Sequence, residues 1–288
     1  MKLTILSENT SFDPALTAEF GLSIYVEKGG VRLLFDTGSH GACLDNARRL
    51  GIDLSAVNVI AFSHNHWDHC GGFLRLADEL HPLCPVYAHR GFFRQKWWDH
   101  RHDAPQEPTR ADTVEPVGPP MGPDFFFQKG ISGFRELPGD VFSLGEEIYL
   151  LGNFPLAVGM EAVWPSSCME LADGSLATDE FLEEQVCVLR ISEGLVVLTG
   201  CSHNGILNIL STVRARFPGE AICAVFGGTH LVPPVPERIQ HTAEAFRDSE
   251  IRVAGVCHCT GPEALQVFAE SVPAYVPVGT GFRWEAKG

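Results

Sequence analysis

The densest chemistry in this chain lies in Ser63-His64-Asn65-His66-Trp67-Asp68-His69, where His64, His66, Asp68 and His69 are all potential metal ligands. On extended backbone His64 and His66 point the same way, because side-chain direction repeats every second residue. Asp68 and His69 come from the turn that follows and face a second point a few ångströms off. Imidazole suits Zn, Fe, Ni and Cu, and a carboxylate suits harder ions. Mixed His and Asp ligands on adjacent points suit a two-metal hydrolytic centre with ions about 3.5–4 Å apart. A solvated histidine-rich loop, or a satisfied core histidine, is the plain alternative. It would account for one histidine, but poorly for this cluster.

Flanking residues say what positions the cluster. Val57-Asn58-Val59-Ile60-Ala61-Phe62 is an apolar, β-branched run of strand length. Gly71-Gly72 follows the cluster, and Phe73 to Leu80 reads as a helix. The ligands therefore sit on a tight loop at the carboxyl end of a buried strand, where open α/β sheets bind ligands. Upstream, strand-like runs at 2–6, 22–26 and 31–35 lead through the Gly29-Gly30 turn into Asp36-Thr37-Gly38. That triplet alone would suit an aspartic-protease loop, but no second copy exists. Residues 42–50 suit a helix stopped by Gly51.

Three strand ends in the second half each deliver a histidine. Residues 195–199 run into Gly200-Cys201-Ser202-His203, 221–226 into Gly227-Gly228-Thr229-His230, and 251–257 into His258-Cys259-Thr260-Gly261. Helices are expected at 206–213, at 236–248 and from Pro262, which suits a first helical turn. Gln185 to Ile191 pairs with 195–199 as a hairpin.

The segment His64-Asn65-His66-Trp67-Asp68-His69 matches the H-x-H-x-D-H signature of the metallo-β-lactamase superfamily, and Leu33 to Gly38 resembles that family's first motif. The resemblance implies an α/β fold: a four-layer αβ/βα sandwich with mixed sheets. It implies a hydrolase whose nucleophile is a water activated between two divalent metals, zinc above all, with Mn or Fe as alternatives. It makes His64, His66, Asp68, His69 and His258 ligands, and Asp36 a buttress that fixes a loop imidazole. Asp68 would also orient the nucleophile, and His230 is a candidate general acid or anion contact. The family's remaining His and bridging Asp have no clean match. In one alignment Cys201 takes the place of the Asp, with His203 two residues on and Asp179, Glu183 and Glu184 where the missing His would be. In the other, His203 is the earlier ligand and the Asp is absent. Thr-Gly-Cys-Ser-His-x-Gly, Gly-Gly-Thr-His-Leu and His-Cys-Thr-Gly together look like one branch of the superfamily. That branch includes the 7,8-dihydropterin-6-methyl-4-(β-D-ribofuranosyl)aminobenzene-5'-phosphate synthases.

Composition sets the outer bounds. The chain has 288 residues, 45% hydrophobic and 20% charged, as expected of a globular protein. One domain spanning 1–288 is expected, with an insertion or lid around 90–180. A net charge of -15 argues against nucleic acid as a partner, hence against a nuclease on this fold. A metal-binding redox protein is the other rival class. No secretory signal or membrane-spanning run is visible, and the nine cysteines are scattered and odd in number, so reduced thiols and a cytoplasmic location are expected. Within the insertion, Arg90, Arg94, Lys96 and Arg101 lie among Phe92, Phe93, Trp97 and Trp98. Cations gathered in an acidic chain suggest a contact for an anionic small-molecule substrate, with the aromatics beside a flat ring. Arg90, Arg94, Lys96 and Trp97 are the candidates. Otherwise the aromatics pack the insertion down, and the cations pair with Asp99, Asp103 and Glu107.

Overall fold

The computed structural model describes residues 1–102, 113–131, 133–137, 139–155, 159, 161 and 163–287; Asp103 and Glu107 lie outside them. A seven-stranded sheet runs in the order Arg283–Glu285, Lys2–Ser7, Ser23–Lys28, Val31–Phe35, Val59–Ala61, Val86–His89, Phe134–Leu137. A six-stranded sheet runs Val253–Cys257, Ile222–Gly228, Gly194–Leu198, Gln185–Ile191, Ile148–Gly152, Val141–Gly145. Both are mixed. Pairing is antiparallel through the amino-terminal hairpin and parallel from Val31–Phe35 to Phe134–Leu137; in the second sheet the first three strands are parallel and the rest antiparallel.

Alternation along the strands builds the layers. In Gly194–Leu198, Val196 and Leu198 face the other sheet, while Leu195 and Val197 face the helices Ile206–Arg216, Pro236–Arg247 and Pro262–Ser271. In Val31–Phe35, Leu33 and Phe35 join the core between the sheets, and Leu34 turns outward to Cys43, Leu44 and Ala47 of the helix Ala42–Arg49. Strands buried on both faces are apolar at almost every position, which is why they are visible as runs in the sequence. The result is the expected helix–sheet–sheet–helix sandwich.

Two expectations need correction. The helix expected at 73–80 is shorter, Phe73–Leu76, and a separate turn of helix, Trp67–Cys70, already carries Asp68 and His69. Gly71 and Gly72 do not break the chain. They let it lie on the 37–39 backbone, where a Cβ would meet Ser39 O at 2.3 Å and Thr37 O at 2.0 Å. The block at 90–180 is not one excursion either. Phe134–Leu137, Val141–Gly145 and Ile148–Gly152 belong to the sandwich. The pieces on either side of them join in a third sheet, ordered Leu176–Thr178, Ser167–Glu170, Lys96–Asp99, Val114–Pro116. These short, partly exposed strands carry too little periodicity to be read from sequence.

Candidate metal centre

The carboxyl ends of Lys2–Ser7, Val31–Phe35, Val59–Ala61, Gly194–Leu198, Ile222–Gly228 and Val253–Cys257 lead into Glu8-Asn9, Asp36, Ser63–His69, Cys201–His203, His230 and His258 respectively. The two halves meet closely because Gly200 has no side chain: a Cβ there would lie 2.0 Å from Ser63 Oγ and 3.1 Å from His64 Nδ1.

Two groups of donors result. The rings of His64, His66 and His203 stand 4.7–4.8 Å apart, centre to centre. In the second group, His69 Nε2 is 3.1 Å from His258 Nε2, and Asp68 Oδ2 is 3.2 Å from His258 Nε2 and 3.6 Å from His69 Nε2. Cys201 belongs to both. Its Sγ is 3.1 Å from His69 Nε2, and it falls within 4.8 Å of the ligand atoms of His64 and His203 in one set and of His69 and His258 in the other. Sequence left Cys201 and His203 as alternatives; the fold brings both in.

Each donor is held from behind. Asp36 accepts from Ser63 N at 2.7 Å and from Ser63 Oγ at 2.6 Å, and its Oδ2 lies 2.7 Å from His69 Nδ1. Ser63 Oγ is 2.8 Å from His64 Nδ1. A fixed Nδ1 leaves Nε2 to face the ligand. Asn9 Oδ1 does the same for His258 Nδ1 at 2.9 Å, while Glu8 Oε1 accepts from His258 N at 2.9 Å. Glu184 accepts from His203 N at 2.7 Å and Asn204 N at 2.8 Å, and Phe181 stacks on the His203 ring at 3.8 Å. Asp36, Ser202, His230 and His258 all have positive φ, 61°, 64°, 47° and 54°. Strained backbone of this kind persists where the surroundings over-determine it, commonly at functional sites.

Electrostatics separates the two groups. Burial drives the basicity of His64 and His203 well below normal and that of His66 to about 3, so all three are neutral imidazoles. Burial also opposes charge on His69, but Asp68 and Asp36 outweigh it and raise His69 to about 9. Asp68, although buried, is held below the usual carboxylate range by His69 and His258. Burial and the neighbouring Cys259 push the Cys201 thiol up. His64 Nε2 and His203 Nε2 are buried with no hydrogen-bond partner among the described residues. Unpartnered lone pairs on neutral imidazoles, facing a thiol and a carboxylate, fit a divalent cation.

A model described as the metallo-beta-lactamase superfamily matches residues 16–156. The chain carries a metallo-β-lactamase superfamily domain. The fold implies divalent metal binding, and the superfamily consists mostly of metal-dependent hydrolases. One relative is the 7,8-dihydropterin-6-methyl-4-(beta-D-ribofuranosyl)-aminobenzene-5'-phosphate synthase of Methanocaldococcus jannaschii, 27% identical over 93% of this chain and 90% of that protein. An uncharacterized protein of the same organism is 26% identical over 91% of this chain and 92% of its own length. The crystal structure of Tm1679, a metal-dependent hydrolase of the beta-lactamase superfamily, superposes with a TM-score of 0.82 at 28% identity, covering 100% of both chains.

In this metallo-β-lactamase sandwich a cleft of about 310 Å³ opens onto both donor groups. His66, Asp68, Cys201, His203, His230 and His258 form its base, and Phe20, Trp67, Trp98, Val117, Val232 and Pro233 its walls. His230 lies 4.2 Å from the His203 ring, and burial lowers its basicity to about 3.

The substrate candidates fare differently. Lys96 is 1% exposed and ion-paired with Asp179 and Glu183, so it cannot meet a substrate. That pairing also accounts for Asp179 and Glu183. Trp97 Nε1 donates to Glu170 Oε2 at 3.2 Å, outside the cleft; its neighbour Trp98 lines the cleft instead. Arg90 and Arg94 line a different cavity, and Arg101 pairs with Asp99 at 2.6 Å. Sequence reasoning missed Glu8, Asn9 and Phe181, and placed Glu184 only among three acidic residues standing where a His would be. Glu8 and Asn9 left one signal, polar residues directly after an apolar strand; Phe181 left none.

Proposed function

We propose that the protein is a hydrolase using two divalent metal ions, zinc by preference, on a small ester or phosphoester that carries a flat ring. The observation behind this reading is the placement of Cys201 between two complete donor groups at the base of an aromatic-walled cleft. One ion would take His64, His66 and His203, the other Asp68, His69 and His258, with Cys201 shared. Imidazole and thiolate together favour zinc, while the carboxylate leaves Mn and Fe open. Such ions supply charge stabilisation on a substrate oxygen and a lowered pKa for water.

The chain's own residues supply the rest. Asp68, on the cleft surface, accepts a hydrogen bond from the attacking water and orients it. His230, at the cleft base beside His203, carries one N–H as a neutral imidazole and donates towards the leaving oxygen. Phe20, Trp67 and Trp98 hold a ring and exclude bulk water. The relative's name, a dihydropterin synthase with a phosphorylated product, is compatible with such a substrate.

The experiment is a screen of the metal-reconstituted protein over phosphodiesters, phosphomonoesters, lactones and thioesters, each with aryl and alkyl members. Turnover preferring aryl members, lost by about 10²-fold or more in Asp68→Ala, supports the reading. A protein holding both ions that turns over none of them contradicts it. Iron in place of zinc, with electron uptake from a reduced flavin, would favour the redox alternative.

A further inference from the structure

A second cavity, of about 280 Å³, is lined by His89, Arg90, Arg94, Asn153, Leu182 and Glu183 and shares no residue with the metal cleft. His89 ends the strand Val86–His89 and is 4% exposed, yet among the described residues neither ring nitrogen has a hydrogen-bond partner. Its ring is wedged against Gly152, where a Cβ would come within 3.1 Å of it. A buried polar nitrogen left unpaired costs about 1–3 kcal/mol, and something entering the cavity would satisfy it.

Arg90 and Arg94 stand beside it on a tight turn, closed by Phe92 N donating to His89 O at 3.3 Å and Arg94 N to Gly91 O at 3.0 Å. Among the described residues neither guanidinium has a hydrogen bond or ion pair, whereas Arg48, Arg75, Arg101, Arg190 and Arg216 all do. In a chain with 36 acidic residues against 21 basic ones, two arginines left unpaired side by side are not explained by surface pairing. The one lining carboxylate, Glu183, is compensated by Lys96 at 3.0 Å. Asn153 adds an amide, anchored on Asp140.

Two planar guanidinium forks, an imidazole N–H and an amide match a tetrahedral oxyanion, since guanidinium donates paired bonds to phosphate oxygens. We infer that this cavity is a binding site for a phosphate-type oxyanion, separate from the metal cleft and independent of what the metals do. It adjoins the cleft's supports. Arg94 O accepts from Asn65 Nδ2 at 2.9 Å, between His64 and His66. Leu182 and Glu183 lie between Phe181, stacked on His203, and Glu184, which holds the His203 backbone. The oxyanion can arrive as a free small molecule or as the phosphate end of a long substrate.

Calorimetric titration of inorganic phosphate into the metal-loaded full chain tests the site. Wild type, Arg90→Gln/Arg94→Gln and His258→Ala are compared, with melting curves to show that each is folded. Expected is one phosphate bound with affinity reduced about tenfold or more in the arginine variant, and retained in His258→Ala. His89→Asn, a smaller change, should weaken binding in the same direction. Affinity unchanged in the arginine variant, or lost only in His258→Ala, overturns the proposal by assigning the phosphate to the metals. A raised KM for phosphomonoesters but not for neutral esters in the arginine variant identifies the substrate as the source; unchanged KM for both, with phosphate binding weakened, identifies a separate molecule.

Discussion

Cys201 Sγ lies 3.1 Å from His69 Nε2 and within 4.8 Å of the ligand atoms of His64 and His203, so a single thiol stands between the two donor groups of the site. Cys201→Ser should therefore weaken both ions, not one. Metal retained after dialysis against a chelator, counted by mass spectrometry, should drop in the variant by more than one ion per chain. Alkylation of wild-type Cys201 should be slow when loaded with zinc and faster after its removal. Rapid alkylation of the loaded protein at this residue would show a free thiol and leave His203 and His258 to bind without it.

Asp36 ties the two halves of the metal loop together through Ser63 N, Ser63 Oγ and His69 Nδ1 while being 0% exposed. Asp36→Asn keeps its shape but removes the charge that orients His69. Zinc affinity, read against a chromophoric chelator, should fall about 10–100-fold. Unchanged affinity would reduce Asp36 to a packing role.

Lys96, Asp179 and Glu183 form a buried charged trio. Removing the ammonium strands two carboxylates away from water, so Lys96→Ala should cost about 3–5 kcal/mol of stability in a denaturant titration. Activity per folded molecule and KM for anionic substrates should hardly move. A selective rise in KM with normal stability would restore Lys96 as a substrate contact.

Much of this was legible in the sequence because the sandwich strands are buried on both faces. Val59-Ile60-Ala61 and Leu195-Val196-Val197-Leu198 announce themselves as unbroken apolar runs, and each leads into a candidate ligand. The candidate ligand loop was legible because chemistry constrains residue type and spacing together. What failed was long-range pairing. Nothing near Lys96 in the chain shows that its partners lie more than eighty residues on, with Asp179 at a separation of 83. Arg94 and Lys96 look equivalent in sequence, yet one is exposed and the other buried, because Lys96 opens a strand whose inward face meets Phe181. Glu8 and Glu184 hold backbone N–H groups of the site, and Asn9 the His258 ring, through contacts that no motif records.

The metal-free chain should lose stability as pH falls from about 7 to 5. His64, His66, His203 and His230 are depressed by burial, His66 and His230 to about 3, so below the ordinary histidine value of 6.5 they bind protons only when unfolded. Their contribution is present above 6.5 and is lost as pH falls. Glu184, raised by burial to about 7, acts in the opposite sense, as do the carboxyls of Glu161 and Glu183, also raised by burial; His69, raised to about 9, joins them only above 6.5, where its unfolded form has lost its proton. Below 6.5 these four imidazoles, joined by His89, whose basicity burial also lowers, outnumber the three raised carboxyls and leave the unfolded state with more protons, at roughly 1.4 kcal/mol per pH unit for each net proton. Thermal melting across this range checks the sign; a midpoint that rises on acidification would contradict the neutral state of these imidazoles.

The most direct test of a two-ion centre is the metal content of protein purified without added metal, compared between the wild type and His66→Ala. Two tightly held transition-metal ions per chain, zinc foremost, falling by about one in His66→Ala, is the predicted result. Fewer than one ion per chain, unaffected by His66→Ala, would contradict it.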